Sequence, residues 1–148
     1  MRRVMDVRVN WVEEVMFVAE SETGHALILD GPSENGGRNM GMRPMELMAL
    51  SVGSCSSYDV VTILQKGRQQ ITSCEANVTA KRADAVPAVF ESIHLHFKIS
   101  GRDLSERLVE RAIELSAEKY CSASIMLKNA GVDVTHDFEI VSVEAADE

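Results

Sequence analysis

The feature that most constrains this chain is the segment from Pro44 to about Gly67, "PMELMALSVGSCSSYDVVTILQKG". Met45, Leu47, Met48, Leu50, Val52, Val60, Val61, Ile63 and Leu64 leave almost no polar face in its middle. Proline suits a first helical turn, where its missing N–H is not needed, and Glu46 favours the positive helix end. The segment therefore predicts one long helix over about 44–67, buried on most sides. A single sheet covers one face of such a helix, so a second copy of the chain is expected to cover the other. Near its centre, "SVGSCSSYDVV" sets Cys55 among Gly53, Ser54, Ser56 and Ser57. Small residues let another group come close, and the thiol there is either filler or a reagent.

The 148-residue chain fits one domain, residues 1–148, around this helix. "RVMDVRVNW" alternates, with Met5, Val7, Val9 and Trp11 on one side, and "VMFVAES" and "HALILD" follow, giving a strand meander over 3–30. "GPSENGGRNMGMR" is a Gly-rich loop. A strand pair spans 70–100, with Ile93, Leu95, Phe97 and Ile99 alternating against Ser92, His94, His96 and Lys98. Asp103 and Glu106 read as a capping box. It opens helices over 104–130, with Leu104, Leu108, Ala112 and Leu115 facing inward, and the second helix stops at Gly131. A last strand covers 132–143. The order βββ-α-ββ-αα-β, without βαβ regularity, predicts an α+β fold with an antiparallel sheet.

A formal net charge of -8 argues against nucleic acid and anionic membrane partners, which need a basic footprint. The tail "EAADE" is expected to fray. No run of 18 or more apolar residues occurs, so no transmembrane helix is expected. "MRR" opens the chain like a leader, but charges follow where an apolar stretch belongs. A cytoplasmic location is the expectation.

Three cysteines do not make a disulfide framework. Cys74, on a strand, reads as a small packing residue. Cys121, at a helix junction, is either plain packing or a thiol lowered by the dipole of the helix it caps. Cys55 is mid-helix and gains nothing from a dipole; to react it needs a cation from elsewhere, with Arg38, Arg43 and Arg68 as candidates. His94 and His96 form an H-x-H too small for a metal site and read as a solvated strand face. His136, beside Val134 and Phe138, reads as a core histidine. Tyr58 could orient a substrate, and Asp59 is expected to pair with a basic residue at the helix surface. No metal or cofactor is expected.

The Gly-rich loop leading into "RPMELMALSVGSCSSYDVVTILQKGRQQI", followed by "GRDLSERLVERAIELSAEKYCSAS", resembles the OsmC/Ohr family of thiol peroxidases over almost the whole chain. Pro44 with Cys55 eleven residues on, "DVVTILQK" and "RAIELSAEKYCS" carry the likeness. The resemblance implies an intertwined homodimer in which sheets wrap two long central helices, with active sites at the interface. It implies Cys55 as the peroxidatic nucleophile and Cys121 as the resolving thiol. The activity implied is reduction of organic hydroperoxides and hydrogen peroxide in oxidative-stress defence, with a dithiol reductant restoring both thiols. Members of the family activate the thiolate with an early-loop arginine held by a glutamate just after the helix proline. Here the early turn is "ESETGHAL" and position 45 is Met, so the candidate activators are Glu46, Arg38 and Arg43. An apolar pocket lined by Trp11, Phe17, Met45, Met48 and Leu50 would suit an organic hydroperoxide. The alternative is a non-catalytic dimeric protein that binds an apolar or thiol-bearing ligand in the same interface pocket.

Overall fold

The structure, a computed structural model, describes residues 4–144. The leader-like "MRR" and the tail from residue 145 on lie outside the described residues. The chain divides into two compact units, Met1–Met48 and Ala49–Glu148. The fold is α+β.

In the first unit, β1 (Val7–Glu13), β2 (Met16–Ser21) and β3 (Ala26–Leu29) form an antiparallel sheet in that order. The meander expected from the alternation is present. Its apolar side is not covered within the chain: Val7, Val9 and Trp11 are 68%, 59% and 67% exposed. The following loop is organised by one buried carboxylate. Asp30 accepts backbone N–H bonds from Gly31 at 2.8 Å and from Arg38 and Met40 at 3.1 Å. Burial alone would raise this carboxyl. The N–H groups of Met40, Gly31 and Arg38, with the charge of Arg43, outweigh it and hold Asp30 below its ordinary value.

Helix α1 spans Pro44–Lys66, within one residue of the expectation. It is not buried on most sides. Only Val52, Gly53, Ser56, Val60 and Leu64 are buried, a stripe spaced by four residues. Met48 and Leu50 remain exposed. By length and composition α1 could cross a bilayer. The expectation of no such segment had counted uninterrupted apolar residues, which the Gly and Ser positions break. Within the chain the buried stripe serves packing in the second unit.

The second unit is built on a sheet of β4 (Gln70–Arg82), β5 (Phe90–Arg102) and β6 (Asp133–Ser142), with β5 central. β4 and β5 pair antiparallel as expected, but β6 runs parallel to β5. The cause is the connection. A hairpin forces antiparallel pairing, whereas the helical segment between β5 and β6 is long enough to cross over and return the chain in the same direction. The alternation in β5 is realised: Ile93, Leu95, Phe97 and Ile99 are all buried. In β4 a bulge between Ile71 and Ser73 leaves Thr72 exposed rather than in line with Cys74.

α2 spans Glu106–Leu115, a π-helical turn covers Ser116–Tyr120, and α3 spans Ser122–Asn129. The N-cap of α2 is Ser105, whose hydroxyl accepts from the Leu108 N–H at 3.3 Å. It is not Asp103, which sits in the left-handed region at φ 49. The inward stripe is accordingly Val109, Ala112, Ile113 and Ser116, while Leu108 is exposed. α3 ends as expected before Gly131, at φ 96.

Gly53 marks the closest approach of α1 to the sheet: a Cβ there would lie 2.7 Å from Cγ2 of Val78. Gly53→Ala should therefore lower the unfolding midpoint, although alanine is better in a helix by about 1 kcal/mol. Gly53→Ala combined with Val78→Ala should recover most of the loss. A thermal melt in which the single variant is stabilised would refute the close contact.

Candidate active site

Two of the three cysteines meet in the second unit. Cys121 follows the π turn, and its N–H donates to the Ser116 carbonyl at 2.8 Å. It is the N-cap of α3, its sulfur accepting the Ser124 N–H at 3.4 Å. The side chain is fully buried. Cys55, half-buried on α1, lies near enough to influence its ionisation. Nothing in the local sequence of either residue announces this contact.

The sequence left Cys121 as either plain packing or a thiol lowered by the helix it caps. The cap is there and works in that direction, but the net shift is upward. Burial is the main cause, opposed by the hydroxyl and N–H of Ser124. The neighbouring Cys55 raises Cys121 further. Cys121 is thus held as a neutral S–H beside Cys55. The accessible sulfur of the two is Cys55, which suits attack on a dissolved substrate.

The small residues around Cys55 turn out to be close-approach positions. Gly53 admits Val78. Ser56 is buried, and its hydroxyl lies 3.0 Å from the hydroxyl of Ser116. Ser57 works to lower the pKa of Cys74, but burial outweighs it and pushes that thiol up. Ser54 donates to the Ser51 carbonyl at 3.3 Å. Space for a substrate is therefore not what Gly53 and Ser56 provide. Asp59 does not pair with a surface cation: it accepts from the Ser116 hydroxyl at 3.0 Å. Sequence reasoning passed over Ser116. Its signal was positional, seven residues after Val109 on the buried stripe and five before Cys121.

The candidate activators belong to the first unit. Arg43 and Glu46 come together: Glu46 Oε1 accepts the Arg43 N–H at 3.2 Å and faces its guanidinium at 3.6 Å. Arg43 also donates to Asn39 Oδ1 and the Gly41 carbonyl, at 2.6 and 3.0 Å. Arg38 is engaged elsewhere, in an ion pair with Glu13 at 2.6 Å. Of the expected pocket residues, Phe17 lines a shallow hollow in this unit with Val15, Leu29, Pro32 and Arg43. Trp11 is exposed.

On the outer face of β5 and β6, Asp137 Oδ1 lies 2.9 Å from His94 Nε2 and 2.7 Å from His96 Nδ1. His94 Nδ1 contacts Thr135 Oγ1 at 2.6 Å, and His96 Nε2 lies 3.3 Å from Glu139. Their bonds to Asp137 and Glu139 raise the His96 pKa, and bonds to His96 and His94 lower that of Asp137. Among the described residues no cluster could hold a metal ion. His136 is exposed rather than in the core, and Tyr58 is exposed as well.

A sequence model described as OsmC-like protein matches residues 36–137. The chain belongs to the OsmC-like family. It is 46% identical to Protein YhfA of Escherichia coli K12 over 93% of this chain and 99% of that protein. The OsmC-like fold is shared with solved structures. An OsmC-like protein from Mycoplasma pneumoniae has a TM-score of 0.81 at 18% identity, over 95% of this chain and 99% of that one. The organic hydroperoxide resistance protein OhrB of Bacillus subtilis has a TM-score of 0.60 at 16% identity, over 93% of this chain and 98% of that one. At such identities these two structures establish the fold alone.

With limiting iodoacetamide, the folded protein should be alkylated first at Cys55. Cys74 and Cys121, which burial holds protonated, should lag until denaturant is added. Peptide mass spectrometry in which Cys121 reacts first would contradict the burial order. The His96 ring protons should titrate above the ordinary histidine value of about 6.5. The stability from this pairing is then present below that value and lost as pH rises through the folded pKa. Asp137→Asn should move the midpoint down in an NMR titration, and an unmoved midpoint would mean that the ion pair does not form in solution.

Proposed function

We propose that the protein is a cysteine-based peroxidase, with Cys55 as nucleophile and Cys121 as resolving thiol. The observation that carries this is the partly exposed Cys55 beside a buried Cys121 whose thiol is pushed up. The Cys55 thiolate attacks the distal oxygen of the peroxide and breaks the O–O bond. An alkoxide leaves and takes a proton from water, and Cys55 is left as a sulfenic acid. Cys121 then attacks that sulfur: the S–O bond breaks, an S–S bond forms, and the thiol proton leaves with the hydroxyl as water. A dithiol reductant returns both thiols. Cys74 stays outside the cycle.

Membership of the OsmC-like family supports the reading, as does the sharing of its fold with a protein described as conferring organic hydroperoxide resistance. Organic hydroperoxides, with hydrogen peroxide as a lesser substrate, are the class we assign, and oxidative-stress defence the role. A reductant-dependent cycle fits the cytoplasm, where dithiol reductants keep thiols reduced.

We further infer that the working form is a homodimer. Within one chain, Val7, Val9 and Trp11 on one side of β1 are left in water, and Met48 and Leu50 of α1 are exposed as well. An exposed apolar strand face of this kind marks an interaction site. Sedimentation at micromolar concentration should give a dimer, and Val9→Asp with Trp11→Asp should give monomers. A wild-type monomer would remove this inference.

Treatment with equimolar cumene hydroperoxide tests the peroxidase reading. Wild type should lose the Cys55 and Cys121 thiols within minutes, by thiol count and intact mass. Cys121→Ser should accumulate a Cys55 sulfenic acid, trappable by dimedone, and Cys55→Ser should show no fast reaction. If wild type keeps all its thiols, the chain is not a peroxidase, and a ligand-binding role for the fold takes its place.

A further inference from the structure

Disulfide closure needs two sulfurs brought to about 2.05 Å, with the Cα atoms about 4.4–6.8 Å apart. Cys55 lies in the middle of α1 and Cys121 at the start of α3, so something must hold one element against the other. One buried residue does so, by its backbone at one end and its side chain at the other. The carbonyl of Ser116 accepts the Cys121 N–H at 2.8 Å. Its hydroxyl lies 3.0 Å from the Ser56 hydroxyl, 3.0 Å from Asp59 Oδ2 and 3.4 Å from the Ser56 carbonyl. Ser116 is 0% exposed and Ser56 4%.

The proton assignment follows from the donor inventory. A hydroxyl has one proton. The charged acceptor is the stronger one, so Ser116 O–H donates to the Asp59 carboxylate. The Ser56 hydroxyl then donates to Ser116 Oγ. Every group in the chain is satisfied, and water cannot easily substitute because the hydroxyls are buried. The clamp grips α1 at the residue next to Cys55 and one turn further on. It also fixes the first residue of the π turn that delivers Cys121. Such turns are irregular and tend to be kept where a side chain must be aimed.

Resting on the peroxidase reading above, we propose that Ser116, with Ser56 and Asp59, is a positioning device for the resolving step. It holds Cys121 in closing geometry and so sets how fast the Cys55 sulfenic acid becomes a disulfide. It has no part in the attack of Cys55 on the peroxide.

The test separates the two half-reactions. Wild type, Ser116→Ala and Asp59→Asn are mixed with cumene hydroperoxide in the presence of dimedone. Cys55 oxidation should proceed at the wild-type rate in all three. Disulfide closure should slow by about tenfold in Ser116→Ala, the size expected for a lost buried hydrogen bond to a charged group. It should slow less in Asp59→Asn, which keeps an acceptor at the same place. The dimedone adduct should rise in the same order. Closure at the wild-type rate in Ser116→Ala, or equal slowing of both steps, overturns the proposal. A second measurement does not depend on peroxide. In glutathione redox buffers, the effective concentration of Cys121 toward Cys55 should fall by about tenfold in Ser116→Ala. If wild type ignores peroxide yet this fall is seen, the peroxidase reading fails while the clamp stands. If wild type is oxidised and the effective concentration is unchanged, the clamp fails alone. Asp59→Asn supplies both readouts should Ser116→Ala not fold.

Discussion

The arrangement of the second unit depends on how closely α1 can lie against its neighbours. The buried stripe Val52, Gly53, Ser56, Val60 and Leu64 combines small with branched residues. The small positions admit the partners: Val78 over Gly53 and Ser116 beside Ser56. Cys55 lies between those two contacts and projects from the margin of the stripe. Its intermediate burial is a consequence of that rotation. One position along, the thiol would be buried with Ser56. The position of Cys55 is thus set by a packing requirement, in an interior too dense to tolerate displacement by even a methyl group.

The two sulfurs are made unequal by their surroundings. Cys121 is surrounded by apolar and hydroxyl groups, with Ser124 the only contributor that favours its charge. Cys55 meets solvent on one side. A pair in which one member is kept neutral can exchange a proton and an electron pair in a fixed order, since ionising one discourages the other. The upward push on Cys121 is therefore compatible with its being the second thiol to act, although the same burial would make an isolated cysteine inert.

Much of this was legible from the sequence. Proline and glycine punctuated α1 and α3, strict alternation marked β5, and the order of elements gave the fold class. What was not legible came from competition between neighbouring residues. Asp103 and Ser105 both suit an N-cap, and choosing Ser105 rotates the buried stripe from Leu108 to Val109. The bulge at Thr72 and the exposure of His136 depend on register, which periodicity alone does not set. The parallel pairing of β6 depends on the crossover, and a strand's own pattern carries no direction. The Cys55–Cys121 contact was reached through family resemblance. The Ser116 clamp was missed because a serine on an apolar stripe looks like an ordinary small residue until its partners are known.

The crossover between β5 and β6 also bears on how the molecule is made. β4 and β5 are joined by a short loop and can pair as soon as both have emerged. β6 can be added only after α2 and α3 exist, and non-local parallel pairing is slow to form. Cys121 rides on that late-arriving crossover, at the opposite end of the second unit's sequence from Cys55. On a growing chain the earlier thiol is complete while its partner is still unmade. The topology thus sets an order of maturation in which Cys55 is in place before Cys121 has been made.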